Sequence, residues 1–279
     1  MSPQQYVQEK AASSGSSFYY AFLFLPPKKR AAITAFYAFC REVDDVVDEI
    51  EDPSVAAAKL AWWQQEVQRS FDGQDQHPVM KALMPLTQEF HIQSSHLLSV
   101  IEGCHMDLTQ TRYLTYADLQ RYCHLVAGVV GEVAAHIFGQ THQDITRYAH
   151  LLGQAFQLTN IIRDVGEDAL RGRIYIPIDE LQQFNVKAHE ILQRIDSPRF
   201  QALMRFQAQR AHGLYDSALA LLPEQDRRSQ KSGLMMASIY RTLLKEIESS
   251  GFPILKQRVA LTPLRKLWLA WKMQALGRF

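Results

Sequence analysis

The sequence predicts an all-α fold, and two observations carry that prediction. Pro85 and Pro177 bracket a stretch, residues 86–176, that contains no other proline and is long enough for several successive helices. Within it, the apolar positions 151, 155, 158, 162 and 165 step by 4, 3, 4 and 3, which is helical spacing. Hairpin signals are absent apart from the single Asp-Gly pair at 72–73.

The helices can be assigned in chain order. Pro26-Pro27 opens the second of them, because proline is tolerated in a first helical turn. The predicted helices span about 3–14, 28–50, 54–71, 78–90, 93–108, 116–139, 142–170, 178–182, 186–194, 197–221, 226–249 and 261–275. No linker rich in Gly, Ser and Pro divides the chain. We therefore predict one domain over residues 1–279, a helical bundle with a central cavity, ending in a basic amphipathic tail at about 255–279.

The composition excludes several classes of protein. Hydrophobic residues make up 47% of the chain and charged residues 21%, which is the ordinary globular balance. The net charge is +1, whereas a general nucleic-acid binder needs a clear basic excess. Cys40, Cys104 and Cys123 form no CxxC pair, so a disulfide framework or cysteine zinc site is not expected. With no signal peptide and no long apolar window, the expected location is the cytoplasm.

Two carboxylate stripes are the most informative feature. In FYAFCREVDDVVDE, Asp44 and Asp48 are four residues apart and lie on one face of the predicted helix. Arg41 and Tyr37 continue that stripe, while position 45 with position 49 forms a parallel acidic row. Like charges at this spacing cost a few tenths of a kcal/mol, so stability alone does not select them.

The second stripe repeats this arrangement in QLTNIIRDVGED. Asp164 and Asp168 are again four apart, with Gln157 and Asn160 on the same stripe and Arg163 beside it. The flanking positions are apolar, so the helix is expected to be largely buried with a polar stripe facing inward. Buried carboxylates need compensating cations.

A set of carboxylate ligands with no His or Cys beside it suits Mg²⁺. This ion commonly completes its coordination shell with water and substrate phosphates. Two facing Asp pairs thus predict a small magnesium cluster over a diphosphate. A lone DxxxD pair is more often a solvated face or a surface salt-bridge row. Two such pairs in apolar helices favour the metal site.

The segments SSFYYAFLFLPPKKRAAITAFYAFCREVDDVVDE, YCHLVAGVVGE and FQLTNIIRDVGEDALRGRIYIP resemble the squalene/phytoene synthase family. The resemblance runs in order over about residues 10–260. It implies an all-α isoprenoid-synthase fold and Mg²⁺-dependent head-to-head condensation of two prenyl diphosphates, with two or three ions. Within the family, the stretch DPSVAAAKLAWWQQEV and the ending GEDALRGRIYIP look most like bacterial presqualene-diphosphate synthases of the hopanoid pathway.

The resemblance also implies roles for individual residues. Asp44 and Asp48 match the family's first aspartate motif, and Asp164 and Asp168 match the second. The other matched positions line the metal, diphosphate or hydrocarbon region, with Asn160 as a further metal ligand and Tyr122 facing the reacting carbons. These positions are Ser17, Phe18, Phe22, Tyr37, Arg41, Tyr122, Val126, Ala127, Gly131, Gln157, Asn160, Arg163, Arg173, Tyr240 and Arg258.

Some of these residues allow a second interpretation from the sequence. Phe18 and Phe22 have the spacing of ordinary core residues. Gly128 and Gly131 either leave room for prenyl tails or permit close helix packing. His105, His124 and His136 fit no HExxH pattern and are expected to be ordinary helix residues.

The expected reaction joins two molecules of farnesyl diphosphate into presqualene diphosphate, with no requirement for NADPH. Phytoene, dehydrosqualene or squalene is the alternative product on the same fold. A protein of a different class, a non-catalytic helical lipid-binding or assembly protein, would be expected to have lost an aspartate motif. Both motifs are intact here.

The tail, LKQRVALTPLRKLWLAWKMQALGRF, carries six basic residues and no acid. It has an apolar face formed by Leu264, Leu267, Trp268, Trp271 and Leu276. That pattern predicts peripheral contact with an anionic membrane surface, such as the inner face of the plasma membrane. The alternative is a last helix packed on the body, and the two are not exclusive.

Overall fold

A computed structural model describes residues 1–13, 17–142 and 144–276, with the side chains of Ser17 and Leu276 left aside. Arg278, the last basic residue of the tail, lies outside the described residues. Within those ranges the chain is all-α, as predicted, and contains no strand. One isolated bridge pairs Arg112 with Ile174.

The helices begin and end close to the predicted positions. In chain order they are α1 (Pro3–Ser13), α2 (Ser17–Phe22), α3 (Pro27–Glu49), α4 (Pro53–Phe71), α5 (Pro78–Thr87), α6 (Ser94–Thr109), α7 (Tyr116–Cys123), a π-helix (His124–Gly128), α8 (Val129–Phe138), α9 (Asp144–Leu170), α10 (Ile178–Gln183), α11 (Ala188–Leu192), α12 (Pro198–Leu221), α13 (Lys231–Ser249) and α14 (Pro263–Leu276). Short 3₁₀ turns lie at Glu224–Asp226 and Pro253–Leu255.

Three differences from the sequence prediction matter. The short helix α2 was not predicted, because six residues are too few to show a helical period. The helix predicted at 116–139 is interrupted by the π-helix, which widens the turn between α7 and α8. The helix predicted from 226 begins at Lys231, since the preceding residues form a separate 3₁₀ turn.

Helix α9 lies at the centre of the fold, packed against α8, α12, α13 and the π-helix. The backbone of α9 lies very close to the backbones of the π-helix and α8. A Cβ added at Gly131 would collide with the carbonyl oxygen of Ala149, and a Cβ added at Gly153 would collide with the carbonyl oxygen of Ala127. The close-packing reading of Gly131 is therefore correct, although the residue also lines the cavity described below. Helix α3 packs beside this group, against α1, α4, α5, α6 and α8.

The last helix packs on the body through its small and flexible residues. Ala270 and Met273 are buried, and α14 contacts α13 and α2. The opposite face exposes Trp268 and Trp271, whose rings stack 5.2 Å apart. The packing agrees with the alternative of a last helix packed on the body, and the membrane contact stays a prediction. Among the described helices, none is both long and apolar enough to cross a membrane.

Candidate active site

A cavity of about 750 Å³ runs between α3, α9 and α13 and is closed by the π-helix and α8. One end is polar and charged, and the rest is apolar. The polar end collects both predicted Asp pairs, and the apolar part is lined by side chains such as Ile33, Leu152 and Met236. The two stripes predicted from the sequence therefore face one space.

The first stripe lies near the C-terminal end of α3. Asp44 and Asp48 line the cavity one turn apart. Arg41 donates from Nη1 to Asp44 Oδ2 at 2.6 Å and also pairs with Asp45. Lys10 of α1 holds Asp45, at 2.7 Å. Of the two acidic rows on this helix, only the row through Asp44 and Asp48 faces the cavity.

The second stripe lies in the last turns of α9. Arg163 donates from Nε to Asp164 Oδ1 at 2.7 Å, and Arg258, which follows the 3₁₀ turn at 253–255, lies 3.1 Å from the same oxygen. Arg258 also approaches Glu167 at 3.8 Å. Two guanidinium groups thus surround Asp164, and Asp168 is the residue one turn further along.

Two arginines just beyond α9 connect the stripes. Arg171 and Arg173 donate to Asp48 Oδ1 at 3.0 and 3.3 Å, and Arg173 also donates to the carbonyl oxygen of Val47 at 3.0 Å. These bonds hold the end of α9 against the end of α3. The polar end of the cavity therefore carries both Asp pairs with arginines on both sides, and could bind an anionic group together with cations.

Asp107 is a site residue that sequence reasoning missed. It lies on α6, is 6% exposed, and accepts hydrogen bonds from Tyr122 at 2.9 Å and Tyr175 at 2.7 Å. The two phenol rings stack 5.2 Å apart. Burial raises the pKa of Asp107 to about 6, against the opposing effects of both hydroxyls and Arg173. An acid in an otherwise apolar helix segment was the signal available in the sequence.

An aromatic cluster forms the wall near the polar end. Phe18 on α2 contacts the rings of Phe22, Tyr37, Phe156 and Tyr240 at centroid distances of 5.8–6.4 Å. Residues from α2, α3, α9 and α13 meet there. The same aromatic side chains pack in the core and line the cavity, so the two readings of Phe18 and Phe22 are compatible.

The structure brings nearly all the predicted site residues together. The cavity lining includes Phe18, Phe22, Tyr37, Arg41, Asp44, Asp48, Tyr122, Val126, Ala127, Gly131, Gln157, Asn160, Arg163, Asp164, Asp168, Arg173, Tyr240 and Arg258. The side chain of Ser17 lies outside the described residues. Lining residues that the sequence analysis did not select include Asp107, Phe156, Arg171, Tyr175 and Lys266.

The donor set at the polar end fits a hard divalent cation. Asn160 Oδ1 is buried and has no hydrogen-bond partner, which leaves an oxygen ligand available beside the second stripe. Burial raises the pKa of Asp44 to about 7, and burial together with Asp164 raises that of Asp168 to about 8. The nearby arginines lower both pKa values by less than burial raises them, and a bound cation would further favour the charged carboxylates.

Fold and cavity together define a class: an all-α protein that can enclose an apolar chain and bind an anionic group beside paired aspartates. The sequence profile of the family described as Squalene/phytoene synthase matches residues 11–265. The chain belongs to this family, as the resemblance in its motifs implied.

Two named relatives agree with the assignment of the chain to this family. The chain is 34% identical to 15-cis-phytoene synthase of Synechococcus elongatus over 257 residues, covering 88% of this chain and 83% of the relative. It is 36% identical to phytoene synthase of Mycobacterium tuberculosis over 249 residues, covering 88% and 82%.

Two solved structures share the fold over nearly the whole chain. A dehydrosqualene synthase in complex with a ligand superimposes with a TM-score of 0.84 at 28% identity, covering 98% of both chains. Squalene synthase HpnC from Alicyclobacillus acidocaldarius gives 0.80 at 27% identity, covering 90% and 94%. The chain is accordingly a prenyltransferase-type enzyme of the head-to-head class.

Proposed function

We propose that this enzyme condenses two molecules of geranylgeranyl diphosphate into phytoene, with release of both diphosphates. The relatives named above are phytoene synthases, and this similarity is the observation that carries the choice of product. The sequence-based expectation of presqualene diphosphate from farnesyl diphosphate is not confirmed. The similarity favours the alternative reading instead.

The polar end of the cavity is the proposed site for the diphosphates. Mg²⁺ would be held there by the side-chain oxygens of five residues: Asp44, Asp48, Asn160, Asp164 and Asp168. When bound, Mg²⁺ neutralises the charge that develops on the departing diphosphate. Four arginines would bind diphosphate oxygens directly once substrate competes for their present carboxylate partners. They are Arg163, Arg171, Arg173 and Arg258.

The apolar part of the cavity has to protect a carbocation. Ionisation breaks the C1–O bond of the first substrate, the diphosphate keeps the electron pair, and the double bond of the second substrate attacks the cation. Water would quench that cation, so an enclosed hydrocarbon wall is required. The faces of Phe22 and Tyr37 can stabilise positive charge without attacking it.

Proton loss completes the chemistry. Closing the cyclopropane of the intermediate releases one proton. The C–O bond of the second substrate then breaks, its diphosphate leaves with the electron pair, the ring opens by rearrangement, and forming the central double bond of phytoene releases a second proton. No hydride is consumed, so NADPH is not required, whereas conversion to squalene would consume one. Tyr122 donates to Asp107 and burial raises the pKa of its phenol, so it is a poor base. We assign it the orientation of the reacting carbons, with released diphosphate as the proton acceptor.

A second candidate keeps the same machinery with farnesyl diphosphate. The solved structures with TM-scores of 0.84 and 0.80 are a dehydrosqualene synthase and a squalene synthase, which supports a product with shorter chains. In that case the product would be presqualene diphosphate, dehydrosqualene or squalene.

One assay separates these candidates. Purified protein is incubated with Mg²⁺ and radiolabelled farnesyl or geranylgeranyl diphosphate, with and without NADPH, and the products are identified by chromatography. Phytoene formed at a higher kcat/KM than any farnesyl product is expected. Preferential turnover of farnesyl diphosphate would refute the proposed substrate, and absence of turnover with either would favour the non-catalytic lipid-binding reading.

We further propose that the exposed face of α14 touches a membrane surface, where an apolar product must go. Trp268 is 57% exposed and Trp271 50%. The basic charge that supports this is smaller than the sequence indicated: Arg265 pairs with Glu246 at 2.8 Å, and Arg258 pairs with Asp164. The two tryptophans are therefore the main support for the contact.

A further inference from the structure

A cluster of two histidines and a glutamate lies behind the cavity wall. His124 belongs to the π-helix, Glu132 to α8 and His150 to α9. Nδ1 of His150 lies 3.3 Å from Nδ1 of His124 and 3.2 Å from Oε1 of Glu132. The ligand atoms of all three residues lie within 4.8 Å of one another, and none of the three residues lines the cavity.

Hydrogen bonds alone satisfy this arrangement poorly. Nδ1 of His150 carries at most one proton, yet it faces two acceptor-capable atoms at the same distance. A cation placed among the three would take one lone pair from each residue. Zinc binds imidazole nitrogen at about 2.0–2.1 Å, and tetrahedral geometry then separates neighbouring ligand atoms by about 3.3 Å. Two of the three separations, 3.3 and 3.2 Å, match that requirement, and the third, between His124 and Glu132, is within 4.8 Å.

The ligands are in a suitable state and within reach of solvent. The side chains of His150 and Glu132 are 26% and 21% exposed, so an ion can enter. Burial, with the neighbouring His150, lowers the pKa of His124. The bond to His150 lowers the pKa of Glu132, although burial acts in the opposite direction.

The surroundings support the histidine ligands. The amide nitrogen of Gln154 lies 2.9 Å from Nε2 of His150, and the Gln154 oxygen accepts from Gln120 at 3.3 Å. Rotation of the Gln154 amide by 180° would turn its oxygen to His150, where it could accept an Nε2–H and so orient the ring. A Cβ at Gly128 would stand 2.9 Å from Nδ1 of His150, so glycine is needed for the imidazole to lie there. His124 was expected to be an ordinary helix residue, and the structure places it beside side chains from two other helices.

We propose that His124, Glu132 and His150 form a binding site for a zinc-type divalent ion, distinct from the aspartate stripes. Mixed imidazole and carboxylate ligands suit zinc rather than Mg²⁺, and water would occupy the fourth position. The ion would join the π-helix, α8 and α9. The segment between its first two ligands carries Val126, Ala127 and Gly131 on the cavity wall, so the role of the ion is to stabilise that wall.

The test uses the full-length protein after EDTA treatment, with excess Mg²⁺ present to occupy the aspartate stripes. Zn²⁺ binding is measured by calorimetry, and Co²⁺ serves as a probe whose visible absorption reports tetrahedral nitrogen and oxygen ligands. The test variants are His150→Gln and Glu132→Gln. His105→Gln is the matched control, since His105 is an exposed histidine on α6.

Wild type and the His105→Gln protein are expected to bind one Zn²⁺ and to gain in Tm on binding. Each test variant should bind at least about tenfold more weakly, since even residues outside the ligand set cost that much. The Asp164→Asn protein should bind Zn²⁺ as wild type does. Circular dichroism confirms folding, and if one test variant does not fold the other decides. Equal affinity in wild type and the folded test variants, or the absence of saturable binding in wild type, overturns the proposal.

Discussion

At the scale of single residues, hydrogen-bond direction decides what a side chain can do. Tyr122 is buried and its hydroxyl donates to Asp107, which also accepts from Tyr175. Burial, then the nearby Asp107, raises the pKa of Tyr122 well above the ordinary value of about 10. The phenol is therefore a donor in a rigid network, and a role in orientation follows from it.

We expect Tyr122→Phe to lower kcat by about 10²-fold or more, while KM for the prenyl diphosphate changes little. The ring remains to fill the wall, but the bond to Asp107 is lost. Steady-state kinetics measures both values. Tyr113→Phe is the control, because the Tyr113 hydroxyl is buried without a hydrogen-bond partner. A Tyr122→Phe enzyme as active as the Tyr113→Phe enzyme would contradict the assigned role.

The aspartates of the two stripes give a second residue-scale prediction. Asp44→Asn or Asp164→Asn should reduce turnover at least about 10²-fold at unchanged helix content, because each removes a charged oxygen ligand from the polar end. Glu49→Gln serves as control, since Glu49 is exposed on the same helix as Asp44. EDTA should abolish wild-type activity and Mg²⁺ should restore it. Activity above about a tenth of wild type in both variants would refute the metal assignment.

At the scale of elements, α3 runs along the cavity. Its lining side chains extend from Ile33 to Asp48, which are 15 helical steps apart and so separated by about 22 Å of helix. Phe138, at the end of α8, also lines the cavity, and its carbonyl oxygen accepts a bond from Lys29 near the start of α3. Phe138 thus lies at the end opposite the aspartates.

Because Phe138 closes the apolar end, we expect Phe138→Ala to raise the ratio of kcat/KM for geranylgeranyl over farnesyl diphosphate. The smaller side chain leaves space for the additional isoprene unit. Competition assays with both substrates give the ratio directly. Phe90→Ala is the control, a buried phenylalanine that does not line the cavity. An unchanged ratio would place the determinant of chain length elsewhere.

For α14, the structure suggests a sharper test than truncation, because deletion would also remove the packed Ala270 and Met273. The double substitution Trp268→Ala with Trp271→Ala should weaken binding to anionic liposomes and spare activity on detergent-dispersed substrate. Exposed Leu192 and Ile195, both changed to Ala, provide the control. Liposome binding equal to wild type would leave α14 as a packed helix only.

At the scale of the whole molecule, the net charge of +1 conceals a local concentration of charged side chains of both signs at the polar end of the cavity. Asp44, Asp48, Asp164 and Asp168 lie at one end of a single cavity. In the metal-free protein the pKa of Asp44 is raised to about 7 and that of Asp168 to about 8, chiefly by burial. The fold therefore accommodates these charges best with cations bound.

This predicts how stability depends on pH. Raised pKa values mean that the folded, metal-free protein holds protons which the unfolded chain loses above about pH 4. Stability should therefore fall as the pH rises towards about 8, and Mg²⁺ should raise Tm more at pH 8 than at pH 5.5. Thermal unfolding of EDTA-treated protein measures this, with Asp168→Asn expected to flatten the profile. A Tm independent of pH and of Mg²⁺ would contradict it.

The sequence by itself determined the helical class, most helix boundaries and both carboxylate stripes. These depend on local regularities: a period of 3.6 residues, proline at helix starts, and acids four residues apart on one face. Its three long motifs also indicated the family. That the chain forms one domain over residues 1–279 stays a prediction.

Tertiary structure decided which groups meet, because contacts between helices depend on packing that no local spacing encodes. Asp107 joins Tyr122 and Tyr175 from two other parts of the chain, and His124 meets Glu132 and His150. The same packing separates the two acidic rows of α3, since Lys10 of α1 engages Asp45 while Asp44 turns to the cavity. Only the folded chain brings these charges and their partners within hydrogen-bonding distance.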